Sequence, residues 1–125
     1  VYTGMFGELI RKHGSRCWLI NTGWIGGPYG VGRRIDIAST RAIVDAALSG
    51  QLNDVPCDKD PNFGLLVPRT CPGIDDRLLR PRDAWKDTAG YDRRAAELAA
   101  GFAENLRQFE GNLDDGVKAG GPQPP

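Results

Sequence analysis

The sequence predicts an α/β fold in which short strands accompany an amphipathic N-terminal helix, a middle helix and a long C-terminal helix. Helices are indicated because apolar residues recur three and four positions apart in three segments. Strands are indicated by short, continuous apolar runs, which are typical of strands buried on both faces. Only three strands are recognisable, and so small a sheet needs partners. We therefore expect an incomplete domain.

The first predicted elements are a helix over residues 2–13 and a strand over residues 17–20. Gly14 ends the helix, because glycine is a common C-terminal stop. The chain starts at Val1, without an initiator methionine, and enters the helix directly, so we expect a segment of a longer protein. The apolar side of the helix consists of Met5, Phe6, Leu9 and Ile10.

Residues 21–34 contain five of the 17 glycines of the chain. Within them, residues 27–34 have the two-glycine spacing of a phosphate-binding loop, but they lack the lysine and the serine or threonine that such a loop uses. An alternating strand pattern over residues 34–37 follows, instead of the helix whose N-terminus would hold phosphate. From spacing alone, the stretch is interpreted as a wide turn between two strands.

The middle helix is predicted to be capped by Ser39 or Thr40 and to run to about Ser49, where Gly50 ends it. A polar loop is expected over residues 51–62. The inner stripe of the helix consists of Ile43, Val44, Ala47 and Leu48.

Residues 63–67 form the last predicted strand, which Pro68 closes. A helical turn is expected near residues 75–79. Beyond the final helix, residues 111–125 are rich in Gly, Asp and Pro, and we expect a flexible tail. The predicted domain therefore covers residues 1–110. One face of the final helix consists of Tyr91, Ala95, Leu98, Phe102, Leu106 and Phe109.

The charge balance argues against a nucleic-acid-binding protein, because 16 basic and 16 acidic residues leave no net charge. No apolar run is long enough to span a bilayer, so no membrane contact is expected, and no signal peptide pattern opens the chain. The three cysteines have no metal-ligand spacing, which makes a zinc site or a disulfide framework improbable and favours the cytoplasm. The residues concerned are Cys17, Cys57, Cys71 and the single histidine, His13.

Arg33, Arg34 and Thr40 have the chemistry to contact a ligand beside the glycine-rich stretch. A guanidinium there can stack on a base or pair with an oxyanion, although a solvated charge at a strand end is the ordinary alternative. The Thr40 hydroxyl can bond a ligand or simply cap the helix. Trp18 and Trp24 bracket the turn at residues 21–23 and are interpreted as core residues.

The order of these motifs resembles the ATP-dependent phosphoenolpyruvate carboxykinases. The most specific block runs from Asn-Thr-Gly-Trp at residues 21–24, through a Gly-Gly-x-Tyr-Gly-x-Gly turn and Arg34-Ile35, to Thr40-Arg41. The resemblance extends from the first helix to Phe109. Its supporting matches are Phe-Gly-Leu at residues 63–65, Cys-Pro-Gly at residues 71–73, Leu79, Pro81, Arg82, Leu98, Phe102 and Asn105.

This resemblance implies the incomplete C-terminal nucleotide-binding domain of the carboxykinase fold. It also implies a gluconeogenic lyase that converts oxaloacetate and ATP to phosphoenolpyruvate, carbon dioxide and ADP. By position, Arg34, Ile35 and Thr40 are the implied nucleotide contacts near adenine. In the full-length family, the phosphate loop, the ligands of Mg²⁺ and Mn²⁺ and the arginines that hold oxaloacetate lie upstream, and none matches a residue here. We therefore expect no catalytic or metal-binding residue in this chain, which should be inactive alone.

The implied partners are ATP and oxaloacetate, through the full-length enzyme, and the N-terminal portion of the same polypeptide. Two alternatives stay open, namely a stand-alone nucleotide-binding module and a non-catalytic interaction domain. The first would need a complete phosphate site, and the missing lysine counts against it. The second would use the amphipathic helices as contact faces. An upstream GxxxxGK[ST] loop in the same polypeptide would favour the carboxykinase.

Overall fold

Helices alternate with two small antiparallel hairpins in the computed structural model, which describes residues 2–109, 111, 113 and 115–122. This is the mixed helix and sheet arrangement that the sequence predicts. The helices are α1 (Tyr2–His13), α2 (Ile37–Leu48), α3 (Pro81–Ala84), α4 (Thr88–Arg107) and α5 (Asp115–Ala119). The strands are β1 (Trp24–Ile25), β2 (Arg33–Arg34), β3 (Cys57–Lys59) and β4 (Leu66–Pro68).

The glycine-rich stretch forms the first hairpin, in which β1 and β2 are antiparallel. A turn between two strands is therefore confirmed, but both strands lie within the glycine-rich stretch, and the first is not at the predicted residues 17–20. Its turn closes on the carbonyl of Pro28, which accepts the backbone N–H groups of Val31 at 3.0 Å and Gly32 at 2.9 Å. Glycine is required at position 32, because a Cβ there would lie 2.4 Å from the carbonyl oxygen of Gly27.

The helix after this hairpin begins at a different cap from the predicted one. Asp36 is the N-cap of α2, and its carboxylate accepts hydrogen bonds from the backbone N–H and the hydroxyl of Ser39, both at 2.8 Å. The prediction of Ser39 or Thr40 as the cap is wrong, because α2 begins at Ile37 and both residues already lie in its first turn. The strand predicted over residues 34–37 is correspondingly cut short at Arg34.

The core lies beneath α2, where Ala46, Leu52 and Cys71 are buried together. Ala46 is buried, whereas Leu48, predicted to be in the inner stripe, is 82% exposed. Leu48 is the last residue of α2, so its side chain projects from the helix end instead of facing the core. Partly buried apolar residues pack around the core, namely Trp18, Ile43, Ala47, Val55, Ile74 and Leu79.

The second hairpin pairs β3 with β4, with Asp58 opposite Val67. The strand β4 confirms part of the strand predicted over residues 63–67. The strand β3, however, lies inside the predicted polar loop of residues 51–62, so that prediction is wrong. Its sequence, Cys-Asp-Lys, has too few apolar residues to show a strand pattern, and pairing with β4 orders it.

Residues 17–20 do not form the predicted buried strand. They lie outside regular secondary structure, and Leu19 is 84% exposed. An apolar run becomes a strand buried on both faces only when neighbouring strands and covering layers meet it. The described part of the chain supplies neither for this run.

The C-terminal half follows the predicted helical pattern more closely. The turn near residues 75–79 is a 3₁₀ helix over Asp76–Leu79, and α4 is the long final helix. Ala95 and Ala99 are its buried residues. Within the predicted flexible tail of residues 111–125, Asp115–Ala119 forms α5, whereas Asn112, Asp114 and residues 123–125 lie outside the described residues. The flexibility of the tail stays a prediction.

Candidate functional site

The first hairpin has two faces with different neighbours. Trp24 is paired with Arg34, and Ile25 is paired with Arg33. Directly opposed residues of an antiparallel pair share a face, and successive residues of a strand alternate between faces. Arg33 and Arg34, although adjacent, therefore lie on opposite faces of the hairpin.

A cleft of about 790 Å³ opens on the face of Ile25 and Arg33. It lies between the hairpin, the start of α2 and the segment from Gly73 to Lys86. Three basic and three acidic residues line it, so its charges balance. These residues are Arg33, Arg77, Lys86, Asp36, Asp75 and Asp83.

Two of the three cleft carboxylates are already held by hydrogen bonds. The backbone N–H of Ser39, followed by its hydroxyl, lowers the pKa of the Asp36 carboxyl. Asp75 accepts from Arg77 through Nε at 3.0 Å and Nη2 at 2.6 Å, and these side-chain bonds are the main reason that its pKa falls to about 2. Both groups are ionised near neutral pH, and neither is suited to act as a general base.

The opposite face of the hairpin carries an aromatic pair. The rings of Trp24 and Tyr29 lie 5.3 Å apart at an interplanar angle of 72°, which is an edge-to-face contact. The side chain of Tyr29 is 87% exposed and that of Trp24 is 42% exposed. Arg34 lies on this face because it is directly opposite Trp24.

The three predicted site residues lie on one continuous connection from β2 into α2. Arg34 is exposed, and its side chain has no hydrogen bond or ion pair with any residue of the described chain. Ile35 is half-buried and extends the ladder by one bond, since its N–H donates to the carbonyl of Gly23 at 3.0 Å. Thr40 is half-buried in the first turn of α2. None of the three residues lines the cleft.

Two features of this region were not predicted from the sequence. Trp24 was interpreted as core, yet its ring is exposed beside Tyr29. Asp36 was given no role, although it caps α2. A signal for the cap was present, because Asp is among the preferred N-cap residues and directly precedes the helical pattern. The exposure of Trp24 had no such signal, because it depends on which residues pack above the hairpin.

Among the described residues, no three His, Cys, Asp or Glu side chains gather as ligands for a metal ion. None of the helices in the described part combines the length and apolar character needed to cross a membrane.

Comparison with known proteins shows which proteins the chain is similar to. A family model described as phosphoenolpyruvate carboxykinase matches residues 1–77. A relative from Rubrobacter xylanophilus, named phosphoenolpyruvate carboxykinase (ATP), is 50% identical over 97% of this chain and 23% of its own length. Relatives of the same name from Paracoccus denitrificans and Thermus thermophilus are 49% and 48% identical, over 95% and 98% of this chain. The chain thus spans 22–23% of the length of these curated relatives.

Proposed function

Since the chain belongs to the phosphoenolpyruvate carboxykinase family, we propose that it is the C-terminal, nucleotide-binding part of an ATP-dependent carboxykinase. The full-length enzyme would convert oxaloacetate and ATP to phosphoenolpyruvate, carbon dioxide and ADP. The observation that carries the proposal is the identity of about 50% to carboxykinases of that name across nearly the whole chain.

The role of this chain is to hold the base end of ATP at the junction between β2 and α2. Arg34 offers a planar cation with hydrogen-bond donors, Ile35 an apolar surface and Thr40 a hydroxyl. Two features support this role. The Arg34 guanidinium has no partner in the described chain, and the hydrogen bond from Ile35 to Gly23 holds the junction in place. Successive residues of an extended chain point to opposite faces, so a base that contacts both Arg34 and Ile35 would lie beside the end of β2, where the two faces meet.

Binding the base would contribute to phosphoryl transfer by positioning, because catalysis of this reaction depends largely on placing the phosphates. The phosphates themselves would be handled by other parts of a longer polypeptide. The apolar side of α1 supports such a neighbour, because Met5, Phe6 and Leu9 are each more than half exposed. The chain alone is therefore proposed to be inactive.

The proposed cellular location is the cytoplasm. Its support is that Cys17, Cys57 and Cys71 are all free thiols. Free thiols are usual in a reducing compartment.

The proposal predicts that Arg34→Ala weakens ATP binding by the full-length enzyme by about 1–3 kcal/mol, the cost of losing a charge-assisted contact. That corresponds to about a 5- to 150-fold rise in Kd, measured by isothermal titration calorimetry. The matched control is Arg33→Ala, because Arg33 has the same chemistry but lies on the opposite face. We expect Arg33→Ala to leave the ATP Kd unchanged.

An unchanged ATP Kd in Arg34→Ala would remove Arg34 from the site. Equal losses in both variants would show that general positive charge, not the position of Arg34, matters. If Arg34→Ala, Ile35→Ala and Thr40→Ala all bind ATP with an unchanged Kd, the whole assignment of the base site is overturned.

A further inference from the structure

We propose that Asp36 is a positioning residue for nucleotide binding, because it fixes the connection between β2 and α2 on which the nucleotide contacts lie. This inference rests on the proposed function, which takes Arg34, Ile35 and Thr40 as those contacts. It goes further by giving a role in ATP binding to a side chain that contacts no part of the nucleotide.

Asp36 stands at the point where the extended chain becomes a helix. Its backbone is extended, with φ −70° and ψ 159°, and α2 begins at the next residue. On one side of it, the Ile35 N–H donates to the carbonyl of Gly23 at 3.0 Å. On the other side, the Thr40 N–H donates to the carbonyl of Asp36 itself, also at 3.0 Å. The backbone of Asp36 therefore sets how Ile35 and Thr40 are placed relative to each other.

Both carboxylate oxygens of Asp36 are used to hold the first turn of α2. Oδ1 accepts the backbone N–H of Ser39 and Oδ2 accepts its hydroxyl, each at 2.8 Å. The N–H groups of a first helical turn have no partner within the helix, so a cap of this kind keeps the turn from fraying. Thr40 directly follows Ser39, and its backbone is therefore held by the same contact.

The location of the Asp36 side chain argues against direct contact with the nucleotide. Asp36 lines the cleft beside the hairpin, whereas Arg34, Ile35 and Thr40 do not line it. Asp36 therefore acts through the backbone that it holds. A protein whose binding-competent form is only partly populated binds its ligand more weakly by that fraction. Loss of the cap is thus expected to weaken ATP binding although every contact residue is still present.

The test is ATP binding by the full-length enzyme with Asp36→Ala. Loss of an N-cap shifts a helix equilibrium by about 5-fold, so the ATP Kd is expected to rise about 3- to 5-fold in isothermal titration calorimetry. Asp36→Asn and Asp36→Ser each keep a capping oxygen, and both are expected to bind ATP within about 2-fold of the unsubstituted enzyme. The Kd of inorganic tripolyphosphate, which has no base, and the KM of oxaloacetate are expected to be unchanged in all three variants.

Asp87→Ala is the matched control, because Asp87 caps α4 by the same kind of bond. Its carboxylate accepts the backbone N–H of Gly90 at 2.8 Å. We expect this variant to destabilise α4 and to leave the ATP Kd unchanged. An equal rise in the ATP Kd of Asp36→Ala and Asp87→Ala would overturn the positioning role, because general loss of helix stability would then explain both.

The failure of this inference can be told from failure of the proposed function. If Asp36→Ala leaves the ATP Kd unchanged while Arg34→Ala raises it, the role of Asp36 is overturned and the nucleotide site survives. If neither variant changes the ATP Kd, both the site and the role of Asp36 are overturned. Weak ATP binding by Asp36→Asn and Asp36→Ser, equal to that of Asp36→Ala, would also overturn the role, because capping would not be the property that matters.

Hydrogen exchange of the Thr40 amide gives a readout that does not depend on the ligand. In Asp36→Ala without ATP, this amide is expected to exchange about 5-fold faster, because the turn that protects it opens more often. Asp87→Ala is expected to leave the exchange of Thr40 unchanged. Unchanged exchange in Asp36→Ala would show that the cap does not hold the turn, and the inference would fail.

Discussion

Arg33 and Arg34 are adjacent and chemically identical, yet the hairpin register sends them to opposite faces. Arg33 lines a cleft in which acidic and basic residues balance, whereas Arg34 lies directly opposite the exposed Trp24. Asp75 is a second residue whose behaviour depends on one neighbour, because Arg77 supplies most of its hydrogen bonds. The chemical environment of each of these side chains is therefore set by the residues that it contacts.

The Asp75–Arg77 pair predicts a specific titration. The pKa of Asp75 is lowered to about 2, chiefly by the side-chain hydrogen bonds of Arg77. Because the folded pKa lies below the unfolded value, the pair contributes stability above about pH 4, and that contribution is lost as the pH falls through about 2. Both side chains are exposed, so solvent keeps the effect on stability small. Carboxyl NMR should show the Asp75 midpoint near 2.

Arg77→Gln is expected to return that midpoint toward the ordinary value of 3.8. Arg82→Gln is the matched control, since Arg82 lowers the pKa of Asp92 instead and should move only that carboxyl. A midpoint for Asp75 near 3.8 in the unsubstituted chain would contradict the contact.

The long helix α4 depends on weak local interactions. Its start is capped by Asp87, which accepts the Gly90 N–H at 2.8 Å, and a bidentate contact from Arg82 to Asp92 joins it to α3. Ion pairs as exposed as these contribute little stability. Its buried residues, Ala95 and Ala99, are small. Intrinsic helix propensity therefore contributes an unusually large share of the stability of α4.

Gly101→Ala is expected to stabilise α4 by about 0.5–1 kcal/mol, because glycine has a low helix propensity and a Cβ at position 101 would meet nothing within 4 Å. Hydrogen exchange of the α4 amides should slow by about 2- to 5-fold. The control is Gly90→Ala, where the new Cβ would lie 2.4 Å from the capping carboxylate of Asp87. This variant should gain no protection. Equal gains at both positions would contradict the capping role of Asp87.

For the whole molecule, the main feature is apolar surface that the described chain does not cover. Met5, Phe6 and Leu9 on α1 and Leu66 on β4 are all exposed. The buried core under α2 is small in comparison. Uncovered helix and strand faces of this kind fit the sequence-based expectation of an incomplete domain.

We predict that the isolated chain unfolds gradually on heating and binds a hydrophobic dye before it unfolds. Circular dichroism and dye fluorescence measure the two properties. Leu9→Lys should lower the dye signal by removing part of the exposed surface, whereas Lys12→Gln, on the same helix, should leave it unaltered. A sharp cooperative transition without dye binding would contradict incompleteness.

The sequence by itself determined the local elements with strong periodicity and the family. The helix over residues 2–13, the long helix α4 and the glycine-rich turn were all predicted correctly, because helical spacing and turn chemistry are encoded by neighbouring residues. The block from Asn21 to Arg41 was sufficient to indicate the family that the comparisons then showed.

Only the tertiary structure decided which residues pair and which faces are covered. The apolar run at residues 17–20 is not a strand, and the polar segment at residues 57–59 is one, because strand formation depends on a partner distant in sequence. The same reason explains the different positions of the two adjacent arginines. Pairing across the hairpin, and not spacing along the chain, separates Arg34 from Arg33 and places it beside Trp24.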